Sequence, residues 1–272
     1  MRTFVFIFLL LLGMTIFAQD ANFHIYLCLG QSNMEGNAKV EEQDTVAVDS
    51  RFQVLAAVDC PNLGRSKGNW YKAVPPLARC YTGLTPGDYF GRAMVANLPS
   101  NVRVGIINVA VGGCRIELFD KDNYQSYVET SPDWLKNMVK EYGGNPYARL
   151  AEMAKLAQKD GVIKGILLHQ GESNTNDKDW PSKVKGEYDN LLKDLGLSAA
   201  NVPLLAGEVV HADQNGVCAS MNTIIDSLPQ VIPTAHVISS AGCPAAFDNL
   251  HFTAEGYRML GVRYAAKMLS IL

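Results

Sequence analysis

The 272-residue sequence has no run of basic residues, and its 24 Lys and Arg are set against 27 Asp and Glu, a formal charge of −3. Nucleic acid and anionic membranes are recognised through a concentrated positive footprint, so neither is an expected partner. Cysteine is scarce, at six residues, and no C-x-x-C pair or zinc-type Cys/His spacing occurs. Zinc sites are built from such ligand sets; no metal and no other cofactor is expected. An internal repeat and a low-complexity linker are also missing, which removes solenoids, arrays and disordered tethers. After Phe17 no apolar run approaches the roughly 20 residues that a membrane span requires.

What is present begins with Arg2, followed by an apolar run from Thr3 to Phe17 and then Ala18. A basic start, a short apolar stretch and a small residue at its end read as a secretory signal peptide over 1–18, which predicts a secreted or periplasmic chain of residues 19–272 with no membrane attachment. No cysteine directly follows Ala18, so a lipid anchor at the cut is not expected. In an exported protein disulfides form and persist. Cys60 and Cys80 flank a loop-rich stretch and make the expected bridge, whereas Cys28 falls inside a strand pattern and reads as a buried thiol. With 48% hydrophobic and 19% charged residues the chain can bury a sizeable core.

Runs rich in Val, Ile and Leu at His24–Leu29, Val102–Val109, Ile163–Leu168, Val202–Ala206 and His236–Ile238 predict five strands. Most are continuously apolar, as in strands covered on both faces. Between them, amphipathic stretches predict helices at Asp88–Leu98, Pro146–Gln158, Lys183–Leu195 and Met221–Leu228, with a last helix from about Ala254 to Leu272 capped by Thr253. Strands alternating with helices give an α/β fold with a mostly parallel five-stranded sheet between helical layers. Two segments break this rhythm, Asn37–Cys80 and Arg115–Gly144. Long connections in a compact domain are usually functional, and these two are expected to wall a cleft.

Ligands in open α/β sheets bind beyond the carboxyl ends of the strands. The chemically interesting residues cluster there: Gly30-Gln31-Ser32-Asn33 after the first strand, Val111 to Cys114 after the second, His169 to Asn174 after the third, Glu208 after the fourth and Asp248 to His251 after the fifth. A serine hydroxyl becomes a nucleophile when an imidazole takes its proton and a third group holds that imidazole. Ser32, His251 and Asp248 supply the three, the last two in one short loop. His24 and His236 lie in strand patterns, His211 is in a loop without a motif, and His169 borders the site as a secondary candidate. Developing charge on the attacked carbonyl needs donors already in place. The Ser32 backbone N–H, an N–H of Gly112 or Gly113, and a side-chain amide from Gln170 or Asn174 are the candidates.

The stretch around Ser32 is not a G-x-S-x-G elbow, because Met34 stands where the second glycine would be, and the acid and the histidine are neighbours in the sequence instead of being well separated. The order of motifs instead resembles the SGNH hydrolase superfamily. Within it, GQSNM, Gly-Gly followed by an Ile-Glu pair, and HQGESN are similar to the branch that holds sialate O-acetylesterase and the acetylxylan esterases of carbohydrate esterase family six. The resemblance runs from Gly30 to His251. It implies a flavodoxin-like three-layer α/β/α fold in a single domain, no metal, and release of acetate from acetylated oligosaccharides or polysaccharides through an acetyl-serine. It assigns Ser32, Asp248 and His251 to catalysis, Gly113 or Gly112 to the glycine donor, and Gln170 to the oxyanion amide. Some members of the branch use the QGE glutamate to orient the histidine, so Glu172 either shares that role with Asp248 or holds the Gln31–Asn33 turn.

Two other readings remain open on the sequence: a carbohydrate-binding protein on the same fold, and a short-chain lipid or aryl esterase. Intact Ser32, Asp248 and His251 weigh against the first, and the polar neighbours Gln31, Asn33 and Glu35 weigh against a greasy acyl pocket. Trp70, Trp134 and Trp180 are candidates for stacking on sugar rings. Arg115 either pairs with a substrate carboxylate or braces Glu117 or Asp120. A histidine acting as base must be neutral, so activity should fall as pH drops through its pKa, about 6.5 in model peptides.

Overall fold

The computed structural model describes residues 19–272, and the expected signal peptide lies outside the described residues. The strands are β1 (Asp20–Gly30), β2 (Phe52–Leu55), β3 (Trp70–Lys72), β4 (Arg103–Ala110), β5 (Gly161–His169), β6 (Leu204–Gly207) and β7 (Ala235–Ile238). Among the described residues the α-helices are α1 (Ser32–Glu35), α2 (Glu42–Thr45), α3 (Pro86–Asn97), α4 (Tyr124–Thr130), α5 (Asp133–Glu141), α6 (Pro146–Ala157), α7 (Trp180–Leu195), α8 (Asn222–Ile225), α9 (Leu228–Val231) and α10 (Ala254–Leu269).

The sheet has seven strands, in the order β3-β2-β4-β1-β5-β6-β7, and not five. The five anticipated strands form its contiguous parallel part. The two additional ones lie inside Asn37–Cys80, where β2 pairs parallel with β4 and β3 closes the edge antiparallel to β2. At four and three residues they are too short to carry a readable period. The second irregular segment holds a 3₁₀ turn at Ile116–Phe119 and helices α4 and α5.

Side-chain alternation along β1 shows why both faces must be covered. Phe23, Ile25, Leu27 and Leu29 pack on one side with residues of α6 and α7. Tyr26 and Cys28 pack on the other side with residues of α3 and α10. Successive side chains of a strand point to opposite faces, so an unbroken apolar run is what two helical layers require. The helix boundaries agree with the anticipated ones closely, and Thr253 caps α10 by accepting the Gly256 N–H at 3.2 Å. The helix anticipated over Met221–Leu228 is instead divided into α8 and α9. Pro229, which lacks an N–H, sits in the first turn of α9 and cannot continue the helix before it.

Cys60 and Cys80 are joined by a disulfide, while Cys28, Cys114 and Cys243 are buried thiols and Cys218 is half-buried. No helix among the described residues is long and apolar enough to cross a membrane.

Register fixes where the site forms. Gly30 at the end of β1 is level with Ala110 of β4 on one side and with His169 of β5 on the other. The three central strands therefore stop together, and the chain leaves β1 toward β4 and returns past it to β5. That reversal opens the crevice in which α/β sheets hold ligands.

Candidate active site

Gly30 turns the chain out of β1 with a φ of 147°. A Cβ at this position would lie 2.1 Å from the His169 carbonyl oxygen, so glycine is required. The Gln31 N–H then donates to that same carbonyl at 3.0 Å, and the Gln31 carbonyl accepts the N–H groups of Met34 and Glu35 at 2.8 Å each. The result is the single turn α1, with Ser32 as its first residue. The Ser32 N–H finds no acceptor among the described residues. Helix N-termini leave such donors unspent.

The other half of the site comes from the loop before α10. Asp248 Oδ1 accepts the backbone N–H groups of Leu250 and His251, both at 3.0 Å. Asp248 Oδ2 faces His251 Nδ1 at 2.7 Å. His251 Nε2 meets Ser32 Oγ at 2.8 Å across 219 residues of sequence. Burial raises the Asp248 carboxyl, but hydrogen bonds from the His251 ring and from the two backbone N–H groups outweigh it and hold the group below the usual aspartate range. A carboxylate at Nδ1 fixes the proton there and leaves Nε2 free to accept the serine proton.

Glu172 stands behind this contact. One of its carboxylate oxygens accepts the Asn33 side-chain amide, which also donates to the Leu250 carbonyl at 3.1 Å. Asn33 Oδ1 accepts the Tyr257 hydroxyl at 2.6 Å. Asn33 thereby joins the serine turn, the end of β5 and the histidine loop. The hydrogen bond of Glu172 is to the serine turn, and the ring nitrogen of His251 is taken by Asp248. Burial pushes the Glu172 carboxyl up, against the opposing pull of the Asn33 amide and of His251.

Gly112 and Gly113 follow β4, and the N–H groups of both lack acceptors among the described residues. Gly113 adopts a φ of 70°, and a Cβ on it would come within 2.6 Å of the Trp134 ring. These glycines, Ser32, His251 and Glu172 line one open cavity of about 390 Å³. Gln31, Glu35 and Asn37 complete its floor, with Trp134, Met138 and Leu250 around them. A larger opening of about 600 Å³ lies at the opposite ends of the strands, beside Lys164 and His236, where the Thr234 hydroxyl is paired with Tyr188 and not with the imidazole.

The amides anticipated for the oxyanion are placed elsewhere. Gln170 is 1% exposed, and its Nε2 donates to Gln31 Oε1 at 3.0 Å, to Asn174 Oδ1 at 2.8 Å and to the Cys114 carbonyl at 3.3 Å. Its oxygen accepts the indole N–H of Trp180. Asn174 likewise spends its oxygen on the Ile116 N–H at 2.9 Å and its amide on Glu117 and Asp177. Neither lines the cavity, because both are consumed in joining the ends of β4 and β5. Gln31 falls within the GQSNM motif but was not anticipated as an oxyanion donor. Its Oε1 receives Gln170 Nε2 and the N–H groups of Gly171 and Ser173, at 3.4 and 3.2 Å. That leaves its own NH₂ without an acceptor among the described residues, at the wall of the cavity. Its position beside Ser32 is the only signal the sequence offers.

The remaining candidates fall away from the site. His169 is fully buried, edge-on to Phe252, and burial alone lowers its pKa to about 3. His211 accepts the Asp213 N–H at the start of a 3₁₀ turn. Glu208 holds Ser239 and the Ser240 N–H. Trp180 is buried under Gln170, and Trp70 packs on Phe23 with its N–H on Asp160. Arg115 braces Glu117 at 3.4 Å and Asp177 at 3.6 Å. Among the described residues, no group of three or more His, Cys, Asp or Glu is arranged to hold a metal ion.

A probable carbohydrate esterase of Arabidopsis thaliana is 25% identical over 262 residues, which is 90% of this chain and 90% of that protein. A solved Arabidopsis thaliana structure superposes with a TM-score of 0.70 at 21% identity, over 92% of this chain and 99% of that one. NanS gives 0.65 at 15% identity, over 93% and 98%. A carbohydrate acetylesterase from Xanthomonas citri gives 0.60 at 18%, over 89% of this chain and 54% of its own. These structural likenesses describe a shared fold. A model of the family "carbohydrate esterase, sialic acid-specific acetylesterase" matches residues 22–270. Because that match runs from β1 to the end of α10, and so takes in both distant segments that meet at Ser32 and His251, the chain belongs to this carbohydrate esterase family.

Proposed function

We propose that Ser32, His251 and Asp248 remove O-acetyl groups from carbohydrates through an acetyl-serine. The observation that carries this is the 2.8 Å contact between Ser32 Oγ and His251 Nε2, with Asp248 on the far nitrogen of the ring. His251 takes the Ser32 proton as Oγ attacks the acetyl carbonyl. The oxyanion is met by the N–H groups of Ser32 and of Gly112 or Gly113, and by the NH₂ of Gln31. Donors that are already oriented need no reorganisation as the charge forms. The imidazolium then protonates the departing sugar hydroxyl. Water, deprotonated by the same ring, attacks the acetyl-enzyme and releases acetate.

The walls around the nucleophile support a small acyl group. Gly112, Gly113, Gln31, Glu35 and Asn37 line the cavity with Ser32, and an acyl chain longer than acetyl would meet Glu35 and Asn37 on that side, while Trp134, Met138 and Leu250 give the apolar surface on which a sugar ring can rest. The Cys60–Cys80 disulfide supports an exported enzyme. The test is acetate release from acetylated xylan and from an acetylated sialic acid by the wild type and by Ser32→Ala. Turnover by the wild type and none by the variant is expected; equal turnover by both would remove Ser32 from the reaction.

A further inference from the structure

The cavity contains carboxyl groups and no cation. Glu35 and Glu172 both line it, whereas no Lys or Arg does. Glu35 is 8% exposed, and its Oε2 lies so near the serine and the glycine loop that a Cβ on Gly112 would stand 2.8 Å from it. The other oxygen of Glu35 receives Arg79 through Nη2 at 2.6 Å and Nε at 3.2 Å. Arg79 does not neutralise the group, because its remaining nitrogen is bound to Glu141. Two carboxylates on one guanidinium leave the cluster with a net negative charge. The nearest other arginine along the glycine loop, Arg115, is shared between Glu117 and Asp177.

We propose that the Glu35–Arg79–Glu141 cluster is a charge filter that makes this site select neutral O-acetylated sugars over sugars bearing a carboxylate. The proposal rests on the esterase reading above and adds the class of sugar. A sialic or uronic acid seated with its acetyl group on Ser32 would bring its own carboxylate toward a concave site that holds carboxyl groups and has no ammonium or guanidinium in its lining to receive it. A partner is rejected by an unpaired like charge as effectively as another is attracted by complementary contacts. A neutral pyranose meets no such repulsion, and Glu35 Oε2 and Asn37 are available to its hydroxyls.

The experiment compares kcat/KM for acetate release from a sialic acid O-acetylated on its glycerol side chain with that from its methyl ester, which differs by the single charge. The methyl ester is expected to be the better substrate by about tenfold or more at low ionic strength. That ratio should shrink in about 0.5 M salt, where charges are screened within a few ångströms, and shrink likewise in Glu35→Gln. The salt arm uses the wild type, so the test stands even if the variant does not fold. Equal kcat/KM for acid and ester would overturn the filter, as would a ratio that neither salt nor Glu35→Gln moves. Failure of the wild type to release acetate from the methyl ester, from acetylated xylan and from p-nitrophenyl acetate would instead overturn the esterase reading on which the filter rests.

Discussion

Asn33 and Glu172 are hydrogen bonded across 139 residues of sequence, directly beside the serine hydroxyl. Glu172 is therefore bonded to the turn that carries the proposed nucleophile, and Asp248 to the imidazole. The two carboxylates should be separable. Asp248→Asn is expected to lower kcat by about a hundredfold or more, because it disturbs the ring tautomer. Glu172→Gln keeps an oxygen for Asn33 and should cost less than about tenfold. Steady-state kinetics on an aryl acetate decides this; a larger loss from Glu172→Gln than from Asp248→Asn would reverse the assignment.

The two glutamines of the site should also behave differently. Gln31→Ala removes the NH₂ proposed to meet the oxyanion and should lower kcat by about a hundredfold; because it also takes the acceptor from Gln170 Nε2 and from the Gly171 and Ser173 N–H groups, it should cost roughly 1–3 kcal/mol of stability as well. Gln170→Ala leaves the buried Trp180 N–H unpaired and should cost roughly 1–3 kcal/mol of stability. Steady-state kinetics on the folded variants distinguishes the two, since only Gln31→Ala should lower kcat, and denaturant unfolding confirms that both are folded. A folded, fully stable Gln170→Ala with hundredfold lower kcat would return the oxyanion role to Gln170.

The central sheet was legible because most of its strands are apolar runs covered on both faces, and Ser32, Asp248 and His251 stood out because they follow the first and the last of those strands in recognisable order. Strands β2 and β3 were not, since runs of four and three residues carry no pattern of their own. Gln170 illustrates the limit at the site. A motif names the residue, but the direction of its amide depends on Gln31, Asn174, Cys114 and Trp180, which come from three other parts of the chain.

Trp134 is 54% exposed on α5 and lies over Gly113 at the wall of the cavity. Of the three tryptophans it is the one that lines the cavity, where an indole could stack on a sugar ring. Trp134→Ala is expected to raise KM for an acetylated oligosaccharide about tenfold, equivalent to about 1.4 kcal/mol, and to raise it less for an aryl acetate. Equal changes for the two substrates would deny the indole a role in sugar binding.

Glu187 on α7 is 7% exposed, and its Oε2 lacks a hydrogen-bond partner. Burial first, then the charges of Asp120, Asp122 and Glu117, push its carboxyl up to about 8 from an ordinary 4.5. Between those values the unfolded chain has lost this proton and the folded chain has kept it, so stability falls as pH rises from about 4.5 to 8. Glu187→Gln should be more stable than wild type by about 1–3 kcal/mol near pH 8 and indistinguishable near pH 4. Urea unfolding at the two pH values measures this, and a variant that is less stable near pH 8 would contradict it.

The contact between Ser32 and His251 is tested most directly by covalent labelling. Diethyl p-nitrophenyl phosphate, which reacts with serines activated by an imidazole, should phosphorylate each chain once, on the peptide that contains Ser32. Labelling should end acetate release and should slow by at least about a hundredfold in His251→Ala. A label found by mass spectrometry on any other residue, or full esterase activity in chains labelled at Ser32, would contradict the account.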